Sequence, residues 1–219
     1  MTRGFSQIES MSLSDEIARQ IEDAIMSGQI RLGETINTDA LARQFKVSHI
    51  PVREALKTLE AVGLIVREAN KSARVLELSS EDVRNIFEVR KALEGLAASL
   101  AAERIDRRRQ EQLQVLVRKM RQTAKSKNFV EMFSADKKFH QIIWDLSGNR
   151  FLVKSLSNLL LPYFGFLAAR GYYAHHDDLN YVPRVHQEIL DALVSRDGER
   201  AERVLVDVHN SSMKLMLER

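Results

Sequence analysis

The chain has 219 residues, 44% hydrophobic and 29% charged, with a formal net charge of +3, three prolines and no cysteine. That length allows one or two domains, burying about two-thirds of the unfolded surface. The lack of cysteine excludes disulfide scaffolds, thiolate zinc fingers, iron–sulfur proteins and cysteine nucleophiles, so any metal must be held by nitrogen and oxygen.

The amino terminus lacks an apolar core of export length, and the most apolar run, Leu159 to Ala169, is too short to span a bilayer and contains Pro162. A cytoplasmic protein with no membrane partner is therefore expected. A first helix is predicted from Leu13 to Met26, capped by Ser12 and closed near Gly28. A short second helix follows from about Asp39 to Phe45 behind Thr38 as its cap. The third starts after Ser48, carries Pro51 in its first turn, where a missing N–H costs nothing, and runs to about Val62 before Gly63. Only Lys46 and Val47 separate the second helix from the cap of the third, which is a helix-turn-helix spacing. Leu64 to Glu68 and Ala73 to Glu77 are β-leaning runs around a turn-like Ala69-Asn70-Lys71-Ser72, giving a hairpin that serves as a wing.

Ser79-Ser80-Glu81-Asp82 is a second helix start, and it places the domain boundary at about residue 78. Apolar periodicity then predicts six helices, at about 80–103, 106–126, 129–147, 150–172, 179–195 and 198–218. The expected fold is mainly α: a winged helix-turn-helix over 1–78, followed by an all-α six-helix antiparallel bundle over 79–219.

Residues 1–78 carry 10 bases against 11 acids, yet Arg43 to Arg74 holds seven bases against three acids, a local net of +4. The positive charge is confined to the third helix and the wing, where this fold meets DNA. Val52, Ala55, Leu56, Leu59 and Val62 form one apolar stripe, which turns His49, Ile50, Arg53 and Lys57 outward. Arg53 suits guanine or phosphate, Ser48 and His49 suit phosphates or base edges, and Lys71 at the wing tip suits a neighbouring groove. An ordinary solvated helix face is the alternative for the charges taken alone.

The stretch Val47-Ser48-His49-Ile50-Pro51-Val52-Arg53-Glu54-Ala55-Leu56, with Gly33-Glu34-Thr35-Ile36 before it and Leu59-Glu60-Ala61-Val62-Gly63-Leu64 after it, resembles the winged-helix domain of GntR-family transcription regulators. The resemblance covers about residues 11–78. It implies that Arg53 and the positions of Ser48, His49 and Ile50 approach an operator. Many members carry Arg-Thr where this chain has His49-Ile50, and glycine where it has Asn70, so base preference does not transfer.

In the second domain, Asp136 and His140 share one inward helical face, His186 lies among Val182, Ile189, Leu190 and Leu193, and His209 lies among Leu205, Met213 and Met216. Burying one carboxylate and three imidazoles without partners costs several kcal/mol. A divalent cation satisfies them jointly, with Asp/His3 suiting Zn²⁺, Ni²⁺ or Mn²⁺; a proton-sharing Asp–His network is the alternative. Arg90, on the inward stripe between Ile86 and Leu93, suits either a carboxylate effector or an ion pair with Glu94. His175-His176-Asp177-Asp178 is read as a solvated turn, and the run from Arg104 to Arg121 as an exposed basic face.

Asp136-x-x-Phe139-His140, Ser147-Gly148-Asn149, His186 ahead of Ile189-Leu190-Asp191-Ala192-Leu193, and His209 resemble the FCD effector domain of the FadR-like branch, and the six helices resemble its shorter, VanR-type subgroup. The resemblance implies that Asp136, His140, His186 and His209 ligate a metal ion and that a small organic acid completes its shell, with Arg90 and Asn149 as candidate effector contacts. The expected protein is a homodimeric DNA-binding regulator, a ligand-responsive repressor reading a palindromic double-stranded operator, and not an enzyme. A metalloenzyme using the Asp/His3 site, and a DNA-binding protein with a purely structural metal, are the alternatives.

Overall fold

A computed structural model describes residues 12–61, 63–67, 72–169 and 178–217. Val62, the expected wing tip with Asn70 and Lys71, and the His175-His176-Asp177 turn lie outside these residues. The chain divides into two compact units, Met1–Val75 and Leu76–Arg219.

In the first unit, α1 (Leu13–Met26) begins at a reciprocal capping box, in which the Ser12 hydroxyl accepts from the Asp15 N–H while the Asp15 carboxylate accepts from the Ser12 backbone. β1 (Thr35–Ile36) precedes α2 (Thr38–Phe45), α3 (His49–Ala61), β2 (Ile65–Val66) and β3 (Ala73–Val75). Ile17, Ile21 and Ile25 of α1 meet Val52, Ala55, Leu56 and Leu59 of α3, all nearly excluded from solvent. Between α2 and α3, Lys46 takes a left-handed conformation with φ 56°, and its N–H donates back to the last turn of α2. That tight reversal lets α3 cross α2 within the helix-turn-helix spacing.

Two expectations are corrected here. Thr38 is the first residue of α2, and Asn37 is its cap, its extended backbone bringing the side-chain oxygen to 2.9 Å from the Ala40 N–H. The hairpin is a three-stranded antiparallel sheet of order β1-β3-β2, with Thr35 opposite Arg74 and Ile65 opposite Val75. β1 was not expected, and the two wing strands are shorter than the apolar runs that predicted them.

The second unit holds α4 (Ser80–Arg104), α5 (Arg107–Ser126), α6 (Phe129–Leu146), α7 (Arg150–Ala169), α8 (Tyr181–Val194) and α9 (Gly198–Leu217). Ser79 and Asp82 form a capping box on α4, Asp106 caps α5 and Asn128 caps α6. The Asp197 side chain accepts from the Arg200 N–H at the start of α9. α4 packs along α9 and also against α6, α7 and α8. Gly198 permits the close approach of α9: a Cβ there would lie 2.8 Å from the Ser99 hydroxyl and 3.1 Å from its carbonyl oxygen. Phe87, Val117, Met120, Phe139, Trp144, Leu156, Ile189 and Leu205 fill the core between these helices. Among the described residues no helix is long and apolar enough to cross a membrane.

Candidate functional site

On the first unit, burial of Val52, Ala55, Leu56 and Leu59 fixes the rotation of α3 and leaves Ser48, His49, Ile50, Arg53 and Lys57 exposed. His49 Nδ1 lies 3.2 Å from Asp39 Oδ1 on α2, and Lys57 Nζ donates to Glu54 Oε1 at 2.8 Å. Both pairs are exposed, and Arg53 has no ion-pair partner among the described residues. Lys71 lies outside the described residues.

The second unit draws six titratable side chains into its core: Arg90 and Glu94 from α4, Asp136 and His140 from α6, His186 from α8 and His209 from α9, none more than 5% exposed. His186 Nδ1 is 2.7 Å from the Val182 carbonyl oxygen, which can only accept, so Nδ1 carries a proton and donates. The other ring nitrogen, Nε2, then faces Asp136 Oδ1 at 2.7 Å. Two acceptors cannot face each other at that distance, so a proton lies between them, where a metal ion would take its place only with the two atoms moved farther apart. His140 Nε2 is 3.4 Å from the same carboxylate oxygen. One ligand atom each from Asp136, His140 and His186 falls within 4.8 Å of the other two.

His209 is inward as expected, yet it stands beside Glu94 rather than within that group of three. Its Nε2 is 3.3 Å from Glu94 Oε1, out of hydrogen-bond alignment, and has no hydrogen-bond partner among the described residues. Glu94 is the site residue that sequence reasoning treated only as a partner for Arg90. Its Oε1 accepts from Arg90 Nε at 2.8 Å, and its Oε2 is 2.8 Å from His140 Nδ1. Arg90 thus has the ion pair that was one of its two expected roles, and its guanidinium also lies 5.1 Å from the Phe87 ring centre. Asn149 is exposed, and its side-chain oxygen accepts from the N–H groups of Phe151 and Leu152, capping α7.

Burial alone would raise both carboxyl groups, but their basic neighbours override it. His186 and His140 hold Asp136 well below the usual carboxylate range, and Arg90, His209 and His140 do the same for Glu94. Burial would lower His140, yet Glu94 and Asp136 push it up to about 9. His209 is pushed down to about 4 by burial and by Arg90, against the pull of Glu94. At neutral pH the cluster therefore contains a protonated His140 and a neutral His209.

This donor set fits a divalent metal. The Val182 carbonyl fixes the His186 tautomer so that Nε2 presents its lone pair, the arrangement that orients imidazole ligands in metal sites. Asp136 and His140 supply the oxygen and second nitrogen, and the unbonded, buried Nε2 of His209 is a further donor beside them.

Two family matches divide the chain as the geometry does. Residues 13–75 match "Bacterial regulatory proteins, gntR family", and residues 85–209 match the FCD domain. An uncharacterized HTH-type transcriptional regulator, YdhC of Bacillus subtilis, is 30% identical over 188 residues, covering 84% of this chain and 82% of its own. The HTH-type transcriptional repressor RspR of Escherichia coli K12 is 27% identical over 196 residues, covering 88% and 84%. Among solved structures, E. coli McbR/YncC superposes with a TM-score of 0.75 at 22% identity, over 95% of this chain and 99% of that one.

Proposed function

The chain belongs to the GntR family of bacterial regulatory proteins, with an FCD domain behind its helix-turn-helix head, and on that premise we propose a repressor whose operator affinity is set by a small carboxylate bound at a buried divalent metal. The observation that carries this reading is the joint burial of Asp136, His140 and His186 around one point, in a chain that also presents Arg53 and Lys57 on the exposed face of a helix-turn-helix. These three residues, with His209 beside them, would hold the ion. A bound ion supplies a Lewis-acid centre to which an organic acid can coordinate. Arg90 and Glu94 position His140 and His209 and set the charge that an arriving anion meets.

The head reads DNA through α3, with Arg53 donating to a guanine edge or a phosphate and Ser48, His49, Lys57 and Lys71 on backbone or base edges. Dimerisation places two such heads on symmetric half-sites. α4 offers a surface for this beside the buried face that carries Phe87, Arg90 and Glu94: Ile86 and Leu93, expected on the inward stripe with Arg90, are only half-buried and lie at its edge. Ile86, Val89, Leu93, Leu96 and Leu100 recur at helical spacing, with Val89 43% and Leu96 45% exposed. A second copy presenting the same stripe would bury it isologously.

The test combines metal analysis of the purified protein with a thermal-shift screen of small carboxylates, run with and without chelator. Stabilisation by an acid that chelator abolishes supports the sensor. Bound metal with no responsive acid reduces the ion to a structural part, and turnover of any acid favours a metalloenzyme.

A further inference from the structure

We infer that Ile50 reads the C5-methyl group of a thymine in each operator half-site, making it a specificity-determining residue of the head. This rests on the operator binding proposed above. Ile50 is 72% exposed, the highest value among the large apolar side chains left at the surface of the described residues. It stands in the first turn of α3, on the same outward face as Arg53 and Lys57 three and seven positions on. Ile50 lines a surface depression together with Thr38, Arg53, Glu54, Lys57, Arg67 and Ser72, so the apolar side chain sits among three cations, two small hydroxyls and one carboxylate, the last already paired with Lys57.

An isolated apolar group in such a setting has few fitting occupants. An apolar partner surface would have to desolvate the surrounding guanidinium and ammonium groups, whereas a duplex supplies phosphates for them. In the major groove thymine alone among the four unmodified bases offers a methyl group, and its edge lies where the first turn of a recognition helix reaches. Among the described residues no carboxylate forms an ion pair with Arg53, so this arginine can donate to a guanine or phosphate while Ile50 covers the methyl.

The experiment uses the full chain and an operator obtained by selection from random DNA. Each thymine of both half-sites is replaced in turn by deoxyuridine, which removes only the methyl group, and affinity is measured at fixed salt. At one position per half-site the wild type should lose about fourfold in affinity per methyl removed, the effect of one buried methyl-sized group. Ile50→Ala should bind the thymine operator correspondingly less well and should not distinguish thymine from deoxyuridine at that position. Because Ile50 is exposed, the substitution opens no cavity, and an unchanged melting temperature verifies the fold. The inference is overturned if no thymine methyl matters to the wild type, or if Ile50→Ala keeps the wild-type discrimination, while Arg53→Ala still abolishes binding. If selection enriches no sequence, or Arg53→Ala binds normally, the proposed head surface itself fails and the inference falls with it.

Discussion

His140 lies between Glu94 Oε2, 2.8 Å from its Nδ1, and Asp136 Oδ1, 3.4 Å from its Nε2, and these carboxylates hold it protonated up to about pH 9. A metal ion needs the lone pair which that proton occupies, so binding at pH 7 must expel it. Calorimetric titration of Zn²⁺ into chelator-stripped protein, in two buffers of different ionisation enthalpy, should show at least one proton released per ion; identical heats in both buffers would contradict this. Trp144, the chain's single tryptophan, has its ring centre 6.5 Å from that of His140 and gives an optical reading of the same event. Without metal, the two perturbed histidines also shape stability in opposite directions. The raised value of His140 favours folding fully below its unfolded value near 6.5, and this contribution is lost as pH rises through about 9. For His209, lowered to about 4, the unfolded chain takes up a proton between 6.5 and 4 that the folded chain refuses, so stability falls as pH falls. Asp136 and Glu94, both lowered, favour folding above their unfolded values near 4 and extend the acid loss below them. The melting temperature of chelated protein should therefore peak near neutrality, and His140→Gln should remove the fall on the alkaline side. An alkaline fall that persists in the variant would assign it to another group.

α3 separates a residue that seats the helix from one that uses it. Leu56 is fully buried against α1, so Leu56→Ala should cost about 2–5 kcal/mol in chemical denaturation of the head and lose operator binding through unfolding. Arg53→Ala should lose binding with the denaturation midpoint nearly unchanged, since its side chain is exposed. Equal destabilisation by both would mean that Arg53 supports the fold. The same helix shows why much of this architecture could be read in advance. The apolar stripe at 52, 55, 56 and 59 sets rotation locally, and Ser12, Ser79 and Asp106 are local caps, so helix limits followed within a residue or two. β1 could not be read, because two residues carry no periodicity and Thr35–Ile36 is a strand only by pairing with β3, more than thirty residues on. Asn37-Thr38-Asp39 offers three cap-forming side chains in a row, and only the backbone angles decide that Asn37 is used. In the core, helical phase showed which faces Asp136, His140, His186 and His209 share. It could not show how far along its axis each helix is set. That offset places Glu94 between Arg90, His140 and His209, and leaves His209 beside the group of three rather than within it.

For the whole molecule, the proposed regulation requires that the buried site and the reading head be linked through a dimer, and each part of that requirement has its own measurement. Placing a charge at the most exposed position of the apolar stripe of α4, as in Leu96→Glu, should convert the protein to monomers in sedimentation and weaken operator binding steeply, without emptying the metal site, because Leu96 is exposed and Glu94 is buried. A dimer that survives the charge would move the interface elsewhere. In the dimer, a carboxylate acting through the metal can shift the operator equilibrium only by its differential affinity for the bound and free forms of the protein. A coupling of about 1–3 kcal/mol corresponds to a change of roughly 5- to 150-fold in operator affinity. Linkage demands the reverse effect as well: saturating operator must change the affinity for that carboxylate by the same factor. Asp136→Ala should reduce metal affinity at least as much as loss of an outer partner of a ligand does, roughly 10–100-fold, and should reduce both couplings together while the ligand-free protein still binds its operator. Unequal factors in the two directions would show that the acid acts outside this equilibrium. Operator affinity indifferent to metal and acid alike would make the Asp136, His140 and His186 cluster a structural fastening of α6 to α8, one that holds the helices and senses nothing.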